Sequence, residues 1–264
     1  MYSLQIKALY RYRGLIWNLV VRELKARYRG SILGFLWSFL NPLLLTSVYT
    51  LVFSVYLRFG MEDYVVHLMS GLLPWLWFSS SLLESSGSIL AGGNLIKKIL
   101  FPAEVLPLVV VLANGINFLL SLPILLLFVA GFKALGFGVS VGISLFTLPV
   151  VIGIQMIFTV GLAFMVSALC VHYRDVQHVL GNLLTLWFFL TPIIYPLSQI
   201  PEKFRFIANL NPIAPLIFAY QNIFYYGKFP SFSQLAIVTI MALCMYTMGS
   251  AVFEKYRGTF AEEV

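Results

Sequence analysis

Six long apolar runs constrain this chain more than any other feature: residues 31–57, 64–86, 105–131, 142–170, 179–197 and 232–253. Each is near or above the roughly 20 residues that a helix needs to cross a hydrocarbon layer. No water reaches a backbone inside lipid, so such a run must satisfy its own N–H and C=O groups, and a helix does this within one segment. The expected fold is therefore all-α, a polytopic membrane protein with six transmembrane helices. Composition agrees, since the 264 residues are 60% hydrophobic and 10% charged, where a soluble domain carries about 25% charge. The first run is long for one straight helix, about 40 Å at 1.5 Å per residue against a core of about 30 Å. It should tilt or bend, with Pro42 as the expected bend. Its length also exceeds the core of a removable signal peptide, so the N-terminus is expected to stay on the mature chain.

Charge lies in islands between the runs. Twelve of the seventeen Lys and Arg fall on one side if the runs alternate: Lys7, Arg11, Arg13, Arg22, Lys25, Arg27, Arg29, Lys97, Lys98, Arg174, Lys255 and Arg257. The positive-inside rule then makes both termini cytoplasmic. A formal charge of +7 could suggest nucleic acid, but a nucleic-acid binder spreads its cations over a wet face, and none is expected as a partner here. Residues 1–30 read as an amphipathic interface helix: Lys7, Arg11, Asn18, Arg22, Lys25 and Arg29 share one narrow arc, while Tyr12, Ile16, Leu19 and Leu24 take another. Two readings of it stand, an anchor to anionic lipid and a contact with a partner protein. Residues 198–231 are too long for a tight turn and mix aromatics with four prolines. They read as short helices re-entering the outer membrane face, or as an ordinary aromatic belt.

Several activities are excluded by what the runs lack. Their interiors hold no Asp, Lys or Arg, and their one acid, Glu84, lies near the end of the second. Ion-coupled carriers keep ionisable groups at mid-membrane despite the cost, because their mechanism uses them. Glu84 is better read as the partner of a nearby base or of interfacial water. His67, His172 and His178 lack metal-ligand spacing, and no carboxylate pair or GxSxG elbow suggests acid–base or nucleophilic catalysis. Cys170 and Cys244 stand alone in apolar runs and read as packing residues. No lysine precedes Ser or Thr, so there is no phosphate-binding GxxxxGK[ST] loop. The chain is not expected to be an enzyme, and if ATP drives it, another chain binds the ATP and its Mg.

Two short charged connections share the side of the basic tail: NLIKKILFPAEVLP from Asn94 and HYRDVQH from His172. With the tail they could form one docking surface. Taken together, RELKARYRGSILGFLWSFLNPLL, NLIKKILFPAEVLPL, YRDV, and FFLTPIIYP followed by LNP resemble the membrane subunits of type-2 ABC exporters. The similarity is to their polysaccharide branch, the O-antigen exporter permeases with their capsule and teichoic-acid relatives, and it covers about residues 8–257.

That resemblance implies a homodimer bound to two copies of a separate ABC ATPase subunit, exporting a polyprenyl-diphosphate-linked polysaccharide across the bacterial inner membrane. It implies ATPase-coupling roles for Asn94, Lys97, Lys98 and Phe101 and for Tyr173, Arg174 and Asp175. Spans one, two and five would line the channel. On the first span, Phe35, Phe39, Tyr49, Thr50, Phe53 and Tyr56 project roughly to one face, and from the fifth come Asn182 and Phe189. Aromatic rings can stack on sugar C–H faces without fixed partners, while Tyr and Thr add polar handles. Phe218, Tyr220, Phe224, Tyr225 and Tyr226 would form an outer gate. Arg27, Tyr28 and Arg29, at the membrane border, suit a lipid diphosphate because Arg presents forked, charged donors to phosphate oxygens. Teichoic acid and capsular polysaccharide are alternative cargoes. A membrane enzyme acting on polyprenyl-linked sugars is the reading from another class.

Overall fold

Tyr64–Ser86, here α3, is the helix around which the others are arranged. The computed structural model describes residues 11–58, 60–61, 63–98, 101–136 and 142–263, apart from the side chains of Lys98 and Asn209. The first ten residues of the expected interface helix lie outside this set. In chain order the helices are α1 (Arg13–Arg27), α2 (Trp37–Thr50), α3, α4 (Ser88–Ala91), α5 (Gly93–Lys98), α6 (Val105–Ala134), α7 (Leu148–His172), α8 (Val176–Leu190), α9 (Arg205–Leu210), α10 (Ala214–Phe224), α11 (Phe232–Tyr256) and α12 (Phe260–Glu263). No strand occurs among the described residues.

Among the described residues, five helical stretches are long and apolar enough to cross a membrane: Gly34–Tyr56, Tyr64–Ser86, Val105–Ala134, Ile143–His172 and Phe232–Glu263. The first is composite, with a 3₁₀ turn (Gly34–Leu36) before α2 and a π-helical turn (Leu51–Tyr56) after it, and Pro42 sits inside α2. The sixth apolar run gives a shorter helix. α8 has 15 residues, about 22 Å at 1.5 Å per residue, and it ends before Thr191-Pro192. Proline disfavours the helical conformation at the residue before it, so the helix stops although the apolar run continues to residue 197.

Packing sorts these helices by depth. In α3, 78% of the most apolar 18-residue window is buried, against 6% in the stretch that contains α2. The neighbours of α3 are α6, α7, α10, α2 and α8. Polar side chains fasten it sideways: Trp77 Nε1 donates to the Val111 carbonyl of α6 at 3.1 Å, and Gln155 Nε2 of α7 donates to the Pro74 carbonyl at 2.8 Å. Pro74 interrupts the α3 ladder, so the second bond ties α7 to its weakest turn. The remaining density is aromatic, with Trp77 stacked on Phe118 and Phe78 on Phe158.

α7 and α11 make the most extensive helix pair, and glycine permits its geometry. A Cβ added to Gly249 would fall on the carbonyl of Gly161, and one added to Gly161 would lie 2.5 Å from the Tyr246 nitrogen. Small residues let membrane helices meet at backbone distance, where dispersion rather than water expulsion holds them. Gly249→Ala should therefore destabilise the protein by about 1–3 kcal/mol through overpacking. Gly153→Ala, where no atom lies within 4 Å, should be near neutral. Thermal unfolding in detergent checks the pair, and equal effects would contradict the crossing.

Candidate functional site

The basic tail meets the helical core at a closed triangle of side chains. α1 buries Ile16, Leu19 and Val20 against Val105, Val109 and Ala113 of α6, while Arg11, Asn18, Arg22, Lys25 and Arg29 are exposed. This seating brings the last turn of α1 over the ends of α3 and α6. Arg27 Nη2 pairs with Glu84 Oε2 at 2.5 Å, Arg27 Nη1 donates to Asn114 Oδ1 at 2.8 Å, and Asn114 Nδ2 donates to the same Glu84 oxygen at 2.7 Å. Glu84, the one acid of the apolar runs, thus has a base and an amide as partners. The three residues Arg27, Tyr28 and Arg29 take different places: Tyr28 packs edge-on to Phe35 at 5.7 Å, and Arg29 is exposed.

The aromatic residues of α2 divide into two groups. Phe35 and Phe39 pack edge-to-face near its start at 5.2 Å, whereas Tyr49 reaches Phe188 of α8 at 5.8 Å and Phe53 at 6.3 Å. A cavity of about 310 Å³ opens between α2, α3 and α8, and Tyr49 and Phe189 both line it. Thr50, Phe53, Tyr56 and Asn182 do not line it; Tyr56 and Asn182 are exposed, Thr50 and Phe53 half-buried. Trp75, Ser79, Ser80 and Thr185 complete the wall, and sequence reasoning missed all four as wall residues. Trp75 carries no periodic signal that separates a wall from packing, since α3 is apolar on every side.

The two charged connections lie at the end of the molecule that also holds residues 257–263. Asn94 and Lys97 are exposed on α5, Phe101 packs into the cluster between α1 and α6, and Tyr173, Arg174 and Asp175 are exposed in the turn between α7 and α8. A feature that sequence reasoning did not find links them, the C-terminal segment. Arg257 Nη1 pairs with Glu104 Oε1 at 2.8 Å, Thr259 Oγ1 lies 3.1 Å from His172 Nε2, and the Tyr256 and His172 rings are 4.6 Å apart. Phe260 is buried against Phe253, and α12 contacts α5. One strap therefore touches both connections.

At the far end, residues 191–225 are tied down by amides. Asn211 Oδ1 accepts from Trp187 Nε1 at 2.7 Å, Asn211 Nδ2 donates to Thr191 Oγ1 at 2.8 Å, and Gln221 Nε2 donates to the Pro192 carbonyl at 3.0 Å. Of the five aromatics expected at a gate, Tyr220 and Phe224 are buried, Phe218 and Tyr225 half-buried, and Tyr226 exposed. Tyr225 packs edge-on to His67 at 5.2 Å.

Five membrane-length helices among the described residues, a neutral interior and one charged end define a multi-pass membrane protein. The family profile described as ABC-2 type transporter matches residues 14–225, and the chain belongs to that family. It is 44% identical over 261 residues to the O-antigen export system permease protein RfbA of Myxococcus xanthus, covering 98% of each chain. A protein of the same name from Klebsiella pneumoniae is 34% identical over 254 residues, 94% of this chain and 96% of the relative. The polysialic acid transport protein KpsM of Escherichia coli is 24% identical over 204 residues, 75% of this chain and 76% of KpsM.

The strap makes a local prediction. Glu104 is 8% exposed, so Arg257→Met leaves a buried carboxylate short of its charged partner at a cost of about 1–3 kcal/mol. The lower part of that range is expected, because the Arg257 side chain is 45% exposed and water screens the pair. Glu104→Gln and Arg257→Met combined should cost less than the sum of the two. A double-mutant cycle read by thermal unfolding checks this, and strict additivity would contradict the contact.

Proposed function

We propose that this chain is the permease subunit of an ATP-driven exporter that moves polyprenyl-diphosphate-linked O-antigen polysaccharide from cytoplasm to periplasm. The observation that carries this reading is the 44% identity, over 98% of both chains, to a protein named as an O-antigen export permease. Two copies form the channel, and two copies of a separate ABC ATPase bind ATP and Mg and dock at the end bearing the termini. The loosely covered first span supports pairing, since Leu51 and Val55 of its π-helical turn are exposed. The polymer passes along the face where Tyr49 and Phe189 meet, and residues around 198–231 gate the outer side.

Six crossings fit this reading better than five. His172 and Arg257 approach the same end and α11 starts at the other, which supports a crossing made between residues 176 and 231. The cationic end faces the cytoplasm of the inner membrane, with residues 1–30 as the interface helix and residues 31–264 as the permease domain. Lys97, Arg174 and Asp175 then stand on the docking surface, with Asn94, Lys98, Phe101 and Tyr173 around them. Arg27, Tyr28 and Arg29 lie where the lipid diphosphate enters. Capsular polysaccharide is the second cargo reading, supported by the weaker likeness to KpsM.

In proteoliposomes holding this chain and its ATPase, glycan should move only with hydrolysable ATP. Replacing Arg27 and Arg29 together by Gln should lower transport at least about tenfold, the scale of one lost charged hydrogen bond. Transport by the chain alone without ATP, or unchanged transport by the double variant, would contradict the proposal.

A further inference from the structure

The Arg27–Glu84–Asn114 triangle has a cavity on each side of it. One, of about 790 Å³, lies among α1, α4, α5 and α6 and carries Arg22, Glu23 and Asn94 with Arg27 and Glu84. The other, of about 890 Å³, lies among α2, α3 and α6 and has Arg27 and Tyr28 at one edge. Only Arg27, among the charged side chains, lines both. We propose that the larger cavity binds the sugar-phosphate head group of a lipid, with Glu84 holding Arg27 until the ligand's phosphate displaces it. This rests on the export reading for the identity of the lipid, not for the existence of the site.

The wall chemistry selects the head group. Trp37 lines the cavity with an exposed ring, over a floor of Trp77 and Phe118 that stack on each other 5.2 Å apart. These are flat apolar faces of the kind that sugar C–H surfaces cover. The hydroxyls of Ser38 and Ser121 donate to carbonyls of their own helices, Phe35 and Phe118, which leaves their lone pairs for a ligand. Asn117 Oδ1 is buried and has no hydrogen-bond partner among the described residues. An amide oxygen so placed is costly unless something donates to it. The cavity therefore offers acceptors, and sugar hydroxyls bring donors. Leu44 and Val48, both exposed, line the same cavity and suit the lipid tail.

The phosphate end follows from the triangle. Glu84 Oε2 accepts from both Arg27 and Asn114, the two residues of the triangle that line the larger cavity, so the carboxylate holds the donors that a phosphate in that cavity would compete for. A phosphodiester matches the carboxylate's single charge and a diphosphate doubles it, and either presents oxygens that can take over the guanidinium fork. The sign of one substitution separates this from a structural role. If Glu84 competes with the ligand, Glu84→Gln tightens binding; if Glu84 only holds the fold, the change weakens binding or leaves it unaltered.

The test uses the full chain in phosphatidylcholine nanodiscs, without ATPase, read by tryptophan fluorescence and by native mass spectrometry. The probes are a polyprenyl-phosphate sugar, phosphatidylglycerol and a soluble sugar phosphate. The polyprenyl-phosphate sugar should bind, Glu84→Gln and Glu84→Ser should each tighten it three- to tenfold, and Asn117→Leu should weaken it at least fivefold with thermal unfolding unchanged. Arg27→Gln should abolish binding. Weaker or unaltered binding in both folded Glu84 variants would overturn the inference. So would equal binding of phosphatidylglycerol with no effect of Asn117→Leu, which marks a resident phospholipid site. Binding as predicted alongside failed ATP-driven export would count against the export reading and leave the site standing. Export without binding would do the reverse.

Discussion

A helix mostly enclosed by protein has to set its polar groups against partners, and several of those on α3 make bonds that also locate its neighbours. Trp77 fixes α6 through the Val111 carbonyl, and Gln155 fixes α7 at the turn that Pro74 weakens. Asn114 and Arg27 close over Glu84 at its end. Hydrogen bonds in a low-dielectric interior are stronger, and their loss costs more, than in water. The same bonds that satisfy α3 therefore set the depth and rotation of α6 and α7. Through α6 they seat α1, and through α7 they position the turn at Tyr173–Asp175.

The consequence is a molecule with one well-determined half and one open flank. α3, α6, α7, α10 and α11 bury each other, whereas α2 touches little of its own chain. Both candidate glycan surfaces, the cavity at Tyr49 and Phe189 and the cavity at Trp37 and Asn117, have α2 as one wall. Chemistry divides in the same way. Charged residues gather at one end, where the strap from Arg257 to Phe260 touches both exposed connections. A neutral interior with a braced, charged end suits a protein whose energy input arrives from another chain, as the proposed function requires.

Much of this was readable from residues alone, for identifiable reasons. Tyr64–Ser86 coincides with its apolar run, because Asp63 precedes it and Gly87 follows it. α8 falls short of its run because apolar content continues through Pro192 while the backbone cannot. The pairing of Glu84 with a base could be expected from its isolation, but its partner could not, since Arg27 is 57 positions away. Asn114 and Asn117 carried a signal that was not used: two amides three residues apart in an apolar helix face the same side. Gly161 and Gly249 carried none, as glycine in an apolar run does not announce which backbone it will meet. The strap was equally silent, because Arg257 and Glu104 are ordinary charges until the fold brings them together. Among the candidate channel residues, the face drawn on an ideal first helix divides between Phe35 and Phe39 at its start and Tyr49 further along, and beyond it the π-helical turn Leu51–Tyr56 re-aims Tyr56. A local change in residues per turn rotates every side chain beyond it.

The central claim is that glycan passes where α2, α3 and α8 meet. A photoreactive side chain at position 49 or 189, activated during ATP-driven export, tests it against controls at Phe146 and Ile240, which are exposed on other helices. The account predicts covalent glycan adducts at 49 and 189 and none at 146 or 240. Adducts absent from 49 and 189, or equal at all four positions, would contradict it.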